Sequence, residues 1–402
     1  MRNYVFFDHA STTQCSLEAS EKVQQYSRED YGNPSSIHAY GQKASRAIRE
    51  ARLFFSQHFQ IQPDQIVFTG SGSEADNHAL YGVALAHLAQ NKNHFKETKK
   101  NRIITSAIEH PAVRKTAKSL EELGFEVIFL KSNSDGQIDT EELLEAINDQ
   151  TILISLMRVN NIIGSIIDVE TLAKKSKEKK PDLFFHTDCV QAFGRVEVPH
   201  APSAIDMLSL SGHKINGPKG VGALVLLNRD LLNQKKFRPL IWGGAQENGL
   251  RSGTQHAGLI SAFHIAAKAT LEKKDAYYNK TLELRNLFYK RLEEKNLLEN
   301  KISWNSPKNG VPHIVHLSIL GIPNGPFSRL LEEKGCLVAT GSACSSSSSG
   351  PDPILTAMKF RPEQIQGALR ITLSDSHSPN DIEHLVDSLQ SSLEKLESIL
   401  RD

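Results

Sequence analysis

Residues 207–214 read Met-Leu-Ser-Leu-Ser-Gly-His-Lys, a short apolar run that leads into a lysine among small polar residues. A continuous run of this length is typical of a strand buried on both faces of a sheet. In α/β proteins, active sites lie just beyond the carboxyl ends of such strands. Lys214 could therefore form a Schiff base with an aldehyde cofactor, and Ser211 and His213 could donate to its phosphate. The alternative is a basic surface turn.

Six further runs of the same kind indicate that this strand belongs to a larger sheet. They are rich in β-branched and aromatic residues, and they occupy residues 65–69, 102–105, 126–130, 152–156, 183–186 and 223–227. Charged amphipathic segments such as Thr140–Ile147 and Val169–Lys179 separate several of the runs. Alternating strands and helices predict a mostly parallel sheet covered by helices. We therefore predict an α/β fold whose large domain contains a mostly parallel seven-stranded sheet.

The chain changes character after about residue 255. Residues 256–298 are helix-like throughout, and a strand-like piece follows at His313–Ile319. A glycine- and serine-rich region covers 335–352, and a final helix is predicted at 379–400. This pattern favours a smaller α+β domain at the C-terminal end. The predicted domains are residues 15–255 for the large one, and 1–14 with 256–402 for the small one.

Composition narrows the classes of function. The 402 residues include 47 Lys plus Arg and 46 Asp plus Glu, a net charge of +1. This balance argues against bulk nucleic-acid binding and against a polybasic membrane-surface protein. The four cysteines form no CxxC pair, so a metal site is not expected, and four cysteines in so long a chain do not indicate a disulfide framework. Without a signal-peptide core or a membrane-length apolar run, the sequence predicts a cytoplasmic protein that contacts neither membrane nor nucleic acid.

Two further stretches carry polar side chains just beyond predicted strands. In residues 68–77, Gly72 and Ser73 could bind an anion at a helix start, or Ser73 could simply cap the helix. After the run at 183–186, Asp188 would be costly to bury without a cationic partner such as a protonated pyridine nitrogen. Gln191 could then donate to the phenolic oxygen of the same ring. The alternative for Asp188 is a helix cap.

Five more features are candidates for chemistry, and three of them have a structural alternative. His110 could stack on an aromatic ring and shuttle protons, although a lone histidine is more often structural. Asn160-Asn161 places paired amides in a loop, and residues 248–254 form another small-residue stretch. Cys344 lies in a glycine- and serine-rich loop and could be a nucleophile or only a linker cysteine. Arg370 could bind a carboxylate through its guanidinium fork or form a surface salt bridge.

Together these motifs resemble the pyridoxal-phosphate-dependent cysteine desulfurases of the NifS/IscS-like type, within the class V aminotransferase group. The resemblance spans nearly the whole chain. The matching stretches are Asp8-His9-Ala10-Ser11-Thr12-Thr13, residues 31–36, residues 69–77, Glu109-His110, residues 160–164, residues 188–191, residues 211–222, residues 251–254, Gly341-Ser342-Ala343-Cys344 and Arg370. The fold implied is fold type I of the pyridoxal-phosphate-dependent transferases.

The resemblance also implies a role for each candidate residue. Lys214 carries the cofactor and acts as a base, Asp188 pairs with the pyridinium nitrogen, and Gln191 contacts the ring oxygen. His110 stacks on the ring and serves in acid–base chemistry. Asn161 lies near the cofactor and also contributes to substrate binding, and Arg370 with Asn33 holds the substrate carboxylate. The implied phosphate-binding set is Gly72, Ser73, Ser211 and His213, together with Thr254 from the partner subunit of a homodimer.

The implied reaction converts L-cysteine to L-alanine and leaves the sulfur as a persulfide on Cys344. An acceptor protein then takes the sulfur for iron–sulfur cluster assembly, or for thiolation of tRNA, DNA or a cofactor. The sequence departs from the family at Ile162, where a glutamate is usual, and it ends at Asp402 without the tail that docks a cluster scaffold. The acceptor is therefore left open. The alternatives are a selenocysteine lyase, a class V aminotransferase and a non-catalytic scaffold of the same fold.

Overall fold

The computed structural model describes residues 4–90, 101–233, 235–298, 300–341 and 352–401. The strands in these ranges are β1 (Val5–Phe6), β2 (Ile66–Thr69), β3 (Arg102–Ser106), β4 (Glu126–Leu130), β5 (Thr151–Ser155), β6 (Phe184–Asp188), β7 (Met207–Ser211), β8 (Gly222–Leu226), β9 (Ile302–Trp304), β10 (Ile314–Ile319), β11 (Cys336–Leu337) and β12 (Ala368–Thr372). The helices are α1 (Leu17–Arg28), α2 (Ala39–Phe59), α3 (Gly72–Gln90), α4 (Pro111–Glu121), α5 (Thr140–Ala146), α6 (Val169–Lys179), α7 (Asp230–Asn233), α8 (Ala257–Glu272), α9 (Lys274–Glu294), α10 (Asn324–Glu333), α11 (Pro353–Ala357), α12 (Pro362–Gln366) and α13 (Pro379–Arg401).

Seven strands form the central sheet, in the order β2-β8-β7-β6-β5-β3-β4. Only β8 runs antiparallel to its neighbours β2 and β7, and the other pairings are parallel. The predicted mostly parallel seven-stranded sheet is therefore confirmed. Each of the seven apolar runs becomes a strand whose ends lie within two residues of the predicted ones.

The strands are apolar throughout because both faces of the sheet are covered. Along β8, Ala223 and Val225 pack into one hydrophobic core, whereas Leu224 and Leu226 pack into the other. The first core includes residues of α2 and α8, and the second includes residues of α3 and α4. Two covered faces require apolar side chains at successive positions, which explains the absence of polar alternation.

A smaller unit has its own sheet and core. Strands β9, β10 and β12 form an antiparallel sheet in the order β12-β10-β9, and its core includes residues of α9, α10 and α13. The N-terminal strand β1 pairs in parallel with β11. Helix α8 instead buries Ile260 and Phe263 in a core of the large sheet. The domain bounds predicted above stay a proposal.

No helix in the described parts of the chain is both long and apolar enough to cross a membrane.

Candidate active site

A cavity of about 230 Å³ lies where β3, β5, β6 and β7 end in their connecting loops. The carboxyl ends of parallel strands meet at one edge of a sheet, so residues distant in sequence converge there. The start of α3 and one residue of β12 complete the wall. The candidate residues that line the cavity are Gly72, Ser73, His110, Asn161, Asp188, Gln191, Ser211, His213, Lys214 and Arg370.

Two described candidates, Asn33 and Thr254, are not brought to this cavity. Asn33 is exposed, and its Oδ1 accepts a hydrogen bond from the backbone of Ser35 at 2.9 Å. Thr254 is exposed as well, and neither residue belongs to the cavity lining. Cys344 lies outside the described residues.

Lys214 ends a short 3₁₀ turn that directly follows β7. Its Nζ donates to the carbonyl oxygens of Ala10 at 2.6 Å and Ser11 at 2.8 Å. The N-terminal segment thus contacts the lysine directly.

Asp188 ends β6, and its Oδ1 accepts the backbone N–H of Val190 at 2.8 Å. Burial raises the pKa of Asp188 to about 6, against the opposing effects of the Val190 N–H and the Lys214 ammonium. A cation placed against the other oxygen would favour the ionised form. Gln191, three residues on, donates from Nε2 to the Ala10 carbonyl at 2.9 Å.

Asp76 on α3 brings a second buried carboxyl group to the same cavity. Its Oδ1 has no hydrogen-bond partner among the residues the structure describes. His186 Nε2 lies 3.8 Å away, but burial lowers the pKa of His186 to about 3, so this contact is not an ion pair. Burial and the nearby Asp188 raise the pKa of Asp76 well above its ordinary value. Two buried carboxyl groups favour a cationic group in this cavity.

His110 caps the N-terminus of α4, where its Nδ1 accepts the backbone N–H of Ala112 at 3.2 Å. Burial lowers the pKa of His110 to about 4, and the charges of Lys214 and Arg114 act in the same direction. The ring is therefore neutral near pH 7. Because Nδ1 accepts a hydrogen bond, the single ring proton resides on Nε2.

The cavity lining also includes residues that suit an anion. Gly72 and Ser73 form the first turn of α3, where backbone N–H groups have no intrahelical acceptor. A Cβ at Gly72 would lie 2.7 Å from Val190 Cγ2, so only glycine lets the backbone line the wall there. Ser211 Oγ is buried without a partner among the described residues. His213 holds Thr12 Oγ1 at 3.1 Å from its Nδ1, and burial lowers its pKa to about 4.

These features fit pyridoxal phosphate. Gly72, Ser73, Ser211 and His213, which we call the anion cradle, suit a phosphate group. The carboxyl groups of Asp76 and Asp188 suit a protonated ring nitrogen. Asn161 Oδ1 is a further buried atom without a partner in the described part of the chain. Polar atoms left unpartnered in a buried wall are costly unless a ligand satisfies them.

Arg370 enters the cavity from β12 and is only 2% exposed. Its Nη1 donates to the Asn161 carbonyl at 2.9 Å, and its Nη2 donates to Asp8 Oδ1 at 2.8 Å and to Ser11 Oγ at 2.7 Å. Its Nε is buried and has no partner among the described residues. The guanidinium therefore retains an unused donor in a cavity wall.

Several lining residues had no role in the sequence interpretation. They are Ala10, Ser11, Ser71, Asp76, Met157, Val159 and Val190. Ser11 and Asp76 lie inside the 8–13 and 68–77 motifs, which is the signal that could have found them. Met157 and Val159 follow β5, and only the general rule about strand ends points to them.

Known proteins similar to this chain belong to the family that its motifs resemble. Residues 5–385 match the Aminotransferase class-V family. The cysteine desulfurase IscS of Dictyoglomus turgidum is 36% identical over 400 residues, which cover 99% of this chain and 97% of that protein. A solved NifS-like protein superposes with a TM-score of 0.86 at 29% identity, covering 97% of this chain and 99% of its own. SspA in complex with cysteine gives a TM-score of 0.76 at 31% identity, covering 93% and 99%.

Proposed function

Because the chain belongs to the class-V aminotransferase family and, within it, to the cysteine desulfurases, we propose that it converts L-cysteine to L-alanine and passes on the sulfur. One observation carries the proposal: Lys214, Asp188 and Arg370 come from different elements and line one cavity. The solved SspA, which resembles this chain, holds cysteine. The relatives' names do not favour a selenocysteine lyase, a plain aminotransferase or a non-catalytic scaffold.

Pyridoxal 5'-phosphate is the cofactor we propose, and when bound it supplies an electron-withdrawing ring that acidifies the α-carbon of an amino acid. Lys214 would hold it covalently, Asp188 would pair with the ring nitrogen, and Gln191 would contact the ring oxygen. The proposed phosphate ligands are Gly72, Ser73, Ser211 and His213, with Thr254 from a partner subunit. The unpartnered polar atoms of the cavity wall support this assignment.

Different side chains would transfer the proton and bind the substrate carboxylate. Lys214 would remove the α-proton of the substrate, since its Nζ already lies in the cavity wall among carbonyl acceptors. His110 is neutral with its proton on Nε2, which suits it to stack on a ring and donate a hydrogen bond. Arg370 would bind the substrate carboxylate through its unused donor, with Asn161 beside it and Asn33 assisting.

Sulfur transfer requires a nucleophile, for which we propose Cys344. Its thiolate would attack the sulfur of the substrate, forming the S–S bond of a persulfide while the C–S bond breaks. The electrons of that bond stay with the carbon, which takes up a proton and leaves as L-alanine. A sulfur-acceptor protein would then receive the sulfur for iron–sulfur cluster assembly or for a thiolation pathway.

We further propose a homodimer in the cytoplasm. Exposed apolar side chains such as Ile37, at 92% exposure, and Trp242, at 68%, support a subunit interface. Thr254 is exposed and lies outside its own chain's cavity, as expected of a residue that serves a partner. Cys15, Cys189 and Cys336 are free thiols, which supports a reducing compartment.

The decisive assay supplies L-cysteine and a thiol reductant, and it measures alanine together with the sulfide that the reductant frees from the persulfide. Lys214→Ala should abolish both products and the cofactor's characteristic absorption. Cys344→Ala should abolish sulfide release while that absorption remains. Cys15→Ala is the matched control, because Cys15 is partly exposed but lies outside the cavity lining, and it should behave as wild type. Wild-type desulfuration by Cys344→Ala would contradict the proposed nucleophile.

A further inference from the structure

The N-terminal residues 8–13, which we call the strap, contact both Arg370 and the turn that carries Lys214. At its first end, Asp8 Oδ1 accepts from Arg370 Nη2 at 2.8 Å. Ser11 Oγ accepts from the same Nη2 at 2.7 Å and donates to Asp8 Oδ1 at 2.8 Å. The three side chains form a closed triangle of hydrogen bonds.

The other end of the strap is joined to the Lys214 turn. The carbonyls of Ala10 and Ser11 accept from Lys214 Nζ. The backbone N–H of Thr13 donates to the His213 carbonyl at 2.9 Å, and Thr13 Oγ1 accepts from the backbone N–H of Asn216 at 2.7 Å. The strap therefore connects β12 of the small unit with the loop after β7 of the large sheet.

The triangle leaves a defined part of the guanidinium for a ligand. A buried arginine needs an anionic partner, and Asp8 is the only ion-pair partner of Arg370 among the described residues. Both donors of Nη2 and one of Nη1 are engaged, and Nε has no partner there. An arginine has five N–H donors in a rigid plane, so fixing one edge fixes the direction of the rest.

We propose that Asp8 and Ser11 are positioning residues that hold Arg370 for the carboxylate of the amino-acid substrate. The strap also links this carboxylate site to the Lys214 turn through the two bonds of Thr13, which do not involve the lysine Nζ and so persist when Lys214 holds the cofactor. The inference rests on the proposed function, in which Arg370 receives the substrate carboxylate. It assigns a task to the 8–13 motif, which the sequence interpretation left without one.

The first test separates binding from turnover. Asp8→Asn and Ser11→Ala each leave Arg370 less firmly oriented, so we expect KM for L-cysteine to rise about tenfold with a much smaller change in kcat. Asp64→Asn is the matched control, because Asp64 also pairs with an arginine, Arg229, at 2.7 Å but on the exposed surface. It should leave both constants at their wild-type values.

A second test uses cysteamine, which lacks the carboxylate of L-cysteine. Binding is followed by the change in cofactor absorbance. If Asp8 acts through Arg370, Asp8→Asn weakens L-cysteine binding and leaves cysteamine binding unchanged. Equal weakening of both ligands would show general damage to the cavity and would overturn the inference.

A third measurement needs neither cofactor nor turnover. In cofactor-free protein, Asp8→Asn should lower the melting temperature, and it should have a much smaller effect in an Arg370→Gln background.

The KM of Arg370→Gln for L-cysteine separates the positioning role from the proposed function. If it raises KM while Asp8→Asn and Ser11→Ala do not, the positioning role is wrong and the proposed function stands. If Arg370→Gln also leaves KM unchanged, the proposed carboxylate site is itself wrong.

Discussion

Glu109 is a fully buried carboxyl group directly before His110. Its Oε1 accepts from Ser106 Oγ at 2.5 Å and from the backbone N–H of Met157 at 3.1 Å. Its Oε2 has no partner among the described residues. Burial raises the pKa of Glu109 to about 8, against the opposing effect of these two hydrogen bonds. Glu109 thus keeps its proton in the folded protein when an unfolded chain has already released it.

This shift predicts how stability depends on pH. The folded pKa of Glu109, about 8, exceeds the ordinary value of 4.5, so its contribution to stability is complete below 4.5 and is lost as pH rises toward 8. The expected slope is about 1.4 kcal/mol per pH unit. Buried histidines with lowered pKa oppose this slope near pH 6.5, where an unfolded imidazole is still half protonated, and their effect fades toward pH 8, where they are neutral in both states. The histidine contribution is common to wild type and variant, so between pH 6.5 and 8 the stability of Glu109→Gln should rise relative to that of wild type.

The measurement is the melting temperature of cofactor-free protein at the two ends of the window. The change with pH is the readout, since the new amide alters hydrogen bonding equally at every pH. Glu145→Gln, on the exposed surface of α5, is the matched control and should melt with the wild-type pH dependence. An unchanged pH dependence in Glu109→Gln would mean that the carboxyl is ionised in the folded state.

At the scale of elements, the central sheet could be predicted because its strands are buried on both faces. Such strands leave a continuous apolar run, and the pattern does not depend on which strands become neighbours. The helix-like stretch at 256–298 was less informative. It forms two helices, α8 and α9, which meet at Lys273 without any glycine or proline to signal the break. The break arises because α8 packs on the large sheet, whereas α9 packs in the core of the small unit.

The candidate site could be predicted where its residues directly follow strands. Lys214, Asp188 and His110 all lie there, and local sequence reveals strand ends. The contact between Asp8 and Arg370 joins residues 362 positions apart, and no local pattern reports it. Asp76 was hidden for another reason: it lies on a buried helix face, where sequence periodicity suggests an apolar residue.

Gly72 tests the anion cradle at the start of α3. Alanine would place Cβ 2.7 Å from Val190 Cγ2 and 3.1 Å from Ser211 Cβ. Either these neighbours shift away or the methyl group occupies space that the anion needs. We expect Gly72→Ala to weaken pyridoxal-phosphate binding by at least about tenfold, or about 1.4 kcal/mol. Fluorescence or absorbance titration of the cofactor-free protein measures this affinity.

Two further variants test whether the effect of Gly72→Ala is specific to the anion cradle. Adding Val190→Ala removes the nearest clash and should restore much of the affinity. Gly82→Ala, on the same helix, places Cβ against the Phe237 ring away from the cavity, so it should lower the melting temperature without weakening cofactor binding. Equal affinity losses in Gly72→Ala and Gly82→Ala would mean that the cradle has no special role.

At the scale of the whole molecule, one chain supplies an almost complete cavity from two units. The large sheet supplies Lys214 and Asp188, and the small unit supplies Arg370. The strap ties these units together across the cavity. Thr254 is the proposed phosphate ligand that this arrangement does not account for, because it is exposed and outside the lining. A second copy of the chain would have to bring it in.

Subunit mixing decides whether Thr254 serves its own cavity or that of a partner. Thr254→Val should lower cofactor affinity, and Lys214→Ala should be inactive. In a mixed dimer of the two variants, the Thr254→Val subunit keeps its own lysine and receives an intact threonine from its partner. One complete site then exists, so the purified mixed dimer should regain about half the wild-type activity. If Thr254 acts within its own chain, neither site is complete, and the mixed dimer should have only about half the activity of the Thr254→Val dimer, because one of its two sites also lacks the lysine.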